Sequence, residues 1–290
     1  MIGLNEGNGH PYSWAAITNG YNPRYMKQCP FPVIPRYLEK QKFPQDQIKG
    51  ATVTHIWTQD QRVSNHIALS THIPNVVSHF TDMIGQVDAI LLARDDAENH
   101  FEYSKPFLDT KLPIYIDKPL AFDVKTAKKI YSLEKFPGQI FTCSALSFAP
   151  ELLKALNELK TIGKIQFIDA VVVKDWKHYG IHIIEPVLKL LPSIVGIEKY
   201  RSIRTEHSIQ QHIRWEDGTE ASMEVIKDAS FPAQIRIFGE KRHIPITFTD
   251  TFSAFKNTLA EFILCCKKKH TPPKKDFVLQ AISLLEKGIH

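Results

Sequence analysis

The chain has 290 residues, 43% of them hydrophobic and 23% charged, with 36 Lys+Arg against 31 Asp+Glu. That apolar content excludes a mainly disordered chain and the length suggests about two domains, while a scattered excess of +5 gives no concentrated basic face for nucleic acid. No apolar run reaches the roughly 18 residues of a membrane span, the start MIGLNEGNGHPYS lacks the basic and apolar regions of a signal peptide, and Cys29, Cys143, Cys265 and Cys266 fall in no metal spacing, so a cytoplasmic protein with reduced thiols is expected.

Residues 1–4 are short and apolar, Gly7 and Gly9 follow at once, and 13–17 reads as the start of a helix. Residues 51–57 (ATVTHIW) are β-branched and aromatic and read as a buried strand. A helix follows over 64–70. Residues 87–93 (VDAILLA) form the continuous apolar run of a strand covered on both faces. Then come a helix over 98–108, a strand over 112–116, a helix over 124–135 and a last strand over 139–143. Strands separated by helices imply parallel βαβ units in a doubly wound sheet. Such sheets bind ligands at the carboxyl ends of their strands, which singles out loops 5–12, 58–60, 94–98 and 117–120. Residues 19–50, rich in Pro, Tyr and Lys, are too long for a usual connection. They read as an insertion near the rim of the ligand site: a lid, an oligomer contact or a plain surface loop.

The second half has a different rhythm. A helix is expected over 148–159, with Pro150 tolerated in its first turn, then a long strand over 165–174 and an apolar helix over 179–191. Antiparallel strands are expected at 197–204, 208–215, 219–225, 234–238 and 244–248, with Asp217-Gly218 as a hairpin turn. Helices over 252–269 and 276–288 close the chain. The expected fold class is α/β. A doubly wound parallel sheet occupies 1–146, and an α+β domain with an open, mostly antiparallel sheet occupies 147–290.

Three motifs stand in order. They are the turn Asn5-Glu6-Gly7-Asn8-Gly9-His10, then Ile116-Asp117-Lys118-Pro119-Leu120 after a strand, then Gly180-Ile181-His182-Ile183-Ile184-Glu185 on a helix. The set resembles the Gfo/Idh/MocA family of NAD(P)-dependent oxidoreductases across nearly the whole chain. The resemblance implies a Rossmann domain joined to an open-sheet domain, NAD or NADP as cofactor, and a sugar, cyclitol or sugar derivative as substrate. It also implies a homo-oligomer through the C-terminal sheet, with no membrane or nucleic-acid partner. Departures are visible. The glycine fingerprint is incomplete, and Thr58 stands where an acid usually holds the adenosine ribose. Arg94-Asp95 replaces Thr-Pro, and His178 replaces an Asp.

Gly7, Asn8, Gly9 and His10 sit where backbone amides at a helix start would meet a pyrophosphate. Thr58, Arg94, Asp117 and Pro119 lie in the other cofactor loops. Thr58 cannot grip two ribose hydroxyls as a carboxylate does, so NAD is favoured only slightly over NADP. Arg94, if it points inward, favours an anionic substrate group. Lys118 is the foremost catalytic candidate, able to bond a substrate hydroxyl and share in proton transfer; its plain alternative is a surface lysine. His182 is the expected general base, with a satisfied core histidine as the alternative. His178, His182 and Glu185 share a helical face, and Glu185 is expected to orient the imidazole. A metal site at these residues is the weaker reading, because Tyr179 follows His178 where a zinc-protease helix has Glu; no metal is expected.

Tyr12 is assigned to the nicotinamide or substrate, and Asp175 and Trp176 to a sugar's hydroxyls and ring. Ser13 has a helix cap as its alternative. The expectation is that folding brings Lys118 and His182 to one substrate hydroxyl. Two other functions stay open: an NAD-using hydrolase or epimerase with transient oxidation, and a dinucleotide-binding regulatory protein without catalysis.

Overall fold

The computed structural model describes residues 1–191 and 196–289. It divides into two compact units. One comprises 1–121, 125–142 and 255–274, the other 122–124, 143–254 and 275–290. No helix among the described residues is long and apolar enough to cross a membrane.

The first unit is built on short parallel strands. β1 (His55–Ile56) pairs with β2 (Asn75–Val76), and β3 (Ile90–Leu92), β4 (Ile114–Ile116) and β5 (Ile140–Phe141) pair in that order. Ile2 joins the two groups through parallel bridges to Trp57 and Leu92. The resulting order, β2-β1-Ile2-β3-β4-β5, is that of a doubly wound sheet. It reverses between Ile2 and β3, so the crevice at the carboxyl ends of those two is the expected ligand position. The side chains of Ile2, Ile56, Ile90, Leu92, Ile114 and Ile116 are buried, as a sheet covered on both faces requires.

The helices of this unit are α1 (His10–Asn19), α2 (Pro23–Met26), α3 (Val33–Leu38), α4 (Gln61–Thr71), α5 (His100–Asp109) and most of α6 (Val124–Tyr131). The strand β2 escaped the sequence reading, because Pro74 precedes a pairing only two residues long. The expected strand over 51–57 pairs only from His55 onward.

The 19–50 insertion is a packed layer with its own buried residues, Met26, Ile34 and Leu38. It lies on the start of α1. Tyr37 donates its hydroxyl hydrogen to Ser13 Oγ, and a Cβ at Gly9 would come within 2.7 Å of Phe31 and 2.6 Å of Ile34.

The second unit holds β6 (Ile165–Val173), β7 (Ile197–Arg204), β8 (Ser208–Trp215), β9 (Glu220–Ile226), β10 (Gln234–Gly239) and β11 (His243–Thr247) in a six-stranded sheet ordered β11-β10-β6-β9-β8-β7. Neighbours are antiparallel except β6 and β9, which are parallel. Gly218, at φ 84°, makes the β8–β9 turn that Asp217-Gly218 predicts. Strand β8 alternates strictly between half-buried and buried residues, because only one face of the sheet packs on helices. Those helices are α7 (Pro150–Glu158), α8 (Trp176–Tyr179), α9 (Ile181–Leu190) and α11 (Lys275–Ile289).

The remaining helix, α10 (Thr251–Cys266), departs from the expected division at 146/147. From Phe255 onward it belongs to the first unit, where Phe262 packs 5.7 Å from the Tyr115 ring and 5.6 Å from Phe141. Its aromatic face finds apolar partners there, which a linear division of the chain does not anticipate.

Candidate functional site

The carboxyl ends of Ile2, β3 and β4 carry a connected polar cluster. Gly7 has φ +77° and open space where a side chain would be. Glu6 beside it is exposed, so its carboxylate is turned to solvent rather than held against the turn. Gly9 is the N-cap of α1, whose first turn contains no acid. Asn8 is buried; its Oδ1 accepts from His10 N at 2.7 Å and its Nδ2 donates to Asp117 at 3.2 Å. His10, in the place of the fingerprint's last glycine, meets the same carboxylate oxygen through Nδ1 at 2.5 Å and stacks 5.0 Å from Trp14. The other oxygen of Asp117 accepts from Lys118 N at 2.8 Å. Asp117 therefore spends its carboxylate on protein groups, ordering the loop rather than gripping a cofactor.

Lys118 is only 5% exposed, which excludes the surface-lysine alternative. Its ammonium lies 3.3 Å from Asp95 Oδ2. Asp95 is clasped from the other side by Asn5, which donates to its carboxylate at 2.7 Å and accepts from its backbone N–H at 3.1 Å. Burial alone would raise the Asp95 pKa. The Lys118 ammonium, the Asn5 amide, His10 and Asn8 outweigh it and hold the carboxyl well below the usual carboxylate range.

Several assigned residues serve the fold instead. Tyr12 is 2% exposed, and its hydroxyl lies 2.6 Å from His66 Nδ1; burial pushes its pKa up. It faces the unit's core rather than a substrate. Ser13 is not the cap of α1, since Gly9 holds that position. Thr58 is buried, giving its hydroxyl hydrogen to Asp60 O at 2.7 Å and meeting Ser64 Oγ at 2.8 Å, so its side chain closes the turn into α4. Arg94 points inward, but its charge is already met: it is buried, pairs with Asp96, donates to Leu4 O at 2.9 Å and lies over the Tyr103 ring. It is no site for an anionic substrate.

In the second unit, His182 Nδ1 lies 2.8 Å from Ser144 Oγ. Glu185 is buried and accepts from Ser144 N at 2.7 Å and Ser147 Oγ at 3.0 Å, so it acts on the serine behind the imidazole. His178 pairs instead with Asp175 at 2.8 Å, which also caps α8. Trp176 is 1% exposed with its Nε1 donating to Leu285 O at 2.9 Å, so it is a core residue and no platform for a sugar ring. His182 and Glu185 thus meet on Ser144 while His178 turns to Asp175, so the three do not converge as a ligand set. A cavity of about 440 Å³ in the first unit, lined by Val53, Ala89, Leu91 and Phe262 among others, opens at the amino ends of the strands and is not this site.

Sequence reasoning missed the contacts that Asn5, Asp95 and Ser144 make with the candidate residues. Asp95 lay in a loop already singled out. The strand-end rule, applied to the last parallel strand as to the others, would have pointed at Ser144.

The cluster fits a dinucleotide phosphate: the open, left-handed Gly7 and the acid-free start of α1 leave room and positive potential for an anion. Residues 36–144 match the model of the Gfo/Idh/MocA family, described as an oxidoreductase family with an NAD-binding Rossmann fold. This stretch is similar to the NAD-binding Rossmann segment of that family. No curated protein matches the chain. Among solved structures it is similar to scyllo-inositol dehydrogenase from Lactobacillus casei, at 12% identity and TM-score 0.74, covering 99% of this chain and 93% of that one. It is also similar to a myo-inositol dehydrogenase from Corynebacterium glutamicum, at 12% identity and TM-score 0.68, covering 81% and 87%. GenD2 from gentamicin A biosynthesis, solved in complex with NAD, gives 12% identity and TM-score 0.70 over 81% and 85%. At these identities the likeness is one of fold: a doubly wound parallel unit and a mostly antiparallel second unit.

Proposed function

We propose that the chain is an NAD-dependent oxidoreductase acting on a secondary hydroxyl of a sugar, cyclitol or related polyol. Residues around Gly7, Asn8 and Gly9 would hold the dinucleotide, and the nicotinamide, when bound, supplies the hydride-accepting carbon. Lys118 then steadies the substrate oxygen and His182 Nε2 takes its proton. What supports this reading most is Lys118 itself: a buried ammonium held by Asp95 at the end of a central strand, within the segment matching an NAD-binding oxidoreductase family. The inositol dehydrogenases among the similar folds favour the polyol class.

The test is a thermal-shift titration with NAD and NADP, followed by nicotinamide reduction with a panel of inositols, sugars and sugar acids. Ligand at 100 times its Kd stabilises by about 2.7 kcal/mol, a clear shift in Tm. No shift with either dinucleotide would overturn the proposal. A shift with no reduction by any polyol would overturn the substrate class.

A further inference from the structure

We infer that Ser144 is the positioning residue of His182, holding the imidazole in one orientation through its hydroxyl; its catalytic meaning rests on the oxidoreductase reading above. Ser144 caps the short turn Ala145–Phe148, its Oγ accepting from Leu146 N at 3.3 Å. The same Oγ meets His182 Nδ1. Three positions on one face of α9 grip this turn. His182 takes the Ser144 hydroxyl. Glu185, three residues on, takes the Ser144 N–H and the Ser147 hydroxyl. Lys189, one further turn on, donates to Ser147 O at 2.8 Å. The i, i+3, i+7 spacing puts all of them on one stripe. The helix that carries the imidazole therefore also carries the carboxylate and ammonium that fix its partner, so Ser144 has little freedom relative to the ring.

Ser144 is fully buried, so it is no nucleophile toward a substrate. Its chemistry suits a holding role. A hydroxyl both donates and accepts. With Nε2 as the base of the proposed reaction, Nδ1 keeps its hydrogen in both charge states and Ser144 Oγ accepts from it throughout, so the ring keeps one tautomer and one place when its charge changes.

The test is long-range proton–nitrogen correlation NMR on protein labelled at histidine nitrogen, with His182 assigned by the signals lost in His182→Asn. Wild type should show two well-separated ring-nitrogen shifts. Ser144→Ala should draw them toward the average of the two tautomers, and Ser144→Thr should restore them. Ser144→Cys, closer in size, serves if the alanine variant does not fold and should behave as alanine does. Unchanged shifts in both Ser144→Ala and Ser144→Cys would overturn the inference. With NAD and a polyol that wild type oxidises, Ser144→Ala should lose kcat by on the order of 10²-fold with KM for NAD unmoved, and Ser144→Thr should recover most of it. Unchanged kcat would also overturn the inference. A wild type that oxidises no polyol sinks the oxidoreductase reading instead, while the nitrogen shifts still decide the role of Ser144.

Discussion

An ammonium buried at the end of a parallel strand needs a counter-charge, and Asp95 supplies one 3.3 Å away. Removing one member of such a pair leaves the other desolvated and uncompensated. Lys118→Met should therefore destabilise the protein by roughly 3 kcal/mol in urea unfolding, the low end for a buried pair because Asp95 is partly exposed, as well as abolish turnover. The double change with Asp95→Asn should cost less than the sum of the two singles. The sign of the pH effect follows from the depressed pKa of Asp95. Its contribution is whole above the unfolded value of about 3.9 and is lost as pH falls toward the lower folded value. The stability gap between wild type and Asp95→Asn should accordingly narrow between about pH 4 and pH 2; a gap independent of pH would refute the pairing. Lys118 was legible in the sequence because strand, lysine and proline are contiguous. Its partner was not, because 23 positions separate them and only strand order brings the two loops together.

At the scale of elements, the glycine turn divides its work. Gly7 is open and left-handed, whereas Gly9 is small because the insertion packs on it. Gly7→Ala should cost about 1–2 kcal/mol through its backbone conformation and, in addition, weaken the thermal shift given by NAD. Gly9→Ala should act through packing, costing roughly 1–3 kcal/mol by overfilling the contact with Phe31 and Ile34. Tyr37→Phe should lose about 0.5–1.5 kcal/mol with its hydrogen bond to Ser13. Equal effects of Gly7→Ala and Gly9→Ala on NAD binding per unit of lost stability would contradict this division. The two glycines look alike in sequence; what distinguishes them is a segment more than twenty residues downstream. The helix over α9 was readable from its apolar period, but its polar stripe acquires a purpose only once the 144–147 turn lies against it.

At the scale of the whole molecule, neither unit is a continuous stretch of chain. The first takes residues 255–274 from beyond the second unit's sheet. A fragment of residues 1–146 therefore lacks Phe255 and Phe262, which pack on His10, Tyr115 and Phe141. It should fold poorly and bind a hydrophobic dye, whereas the intact chain should not. Within the intact chain, Phe262→Ala should cost about 3–5 kcal/mol. A cooperative, dye-free fragment of 1–146 would show that this helix is dispensable to the first unit.

By itself the sequence determined the local and periodic features. These are strands alternating with helices in the first half, hairpin strands in the second, the Asp217-Gly218 turn, and the strand ends where chemistry gathers. Such features depend on neighbours within a few residues, where backbone preference and apolar period act. Only the tertiary structure decided which polar side chains are used up inside the fold. Tyr12, Thr58, Arg94 and Trp176 are each buried and find partners that no spacing announces, while Asn5, Asp95 and Ser144 join the polar clusters through contacts across long stretches of chain. A buried polar group must be satisfied by whatever the packing places beside it, and that neighbour is set by the order of strands and the face of a helix.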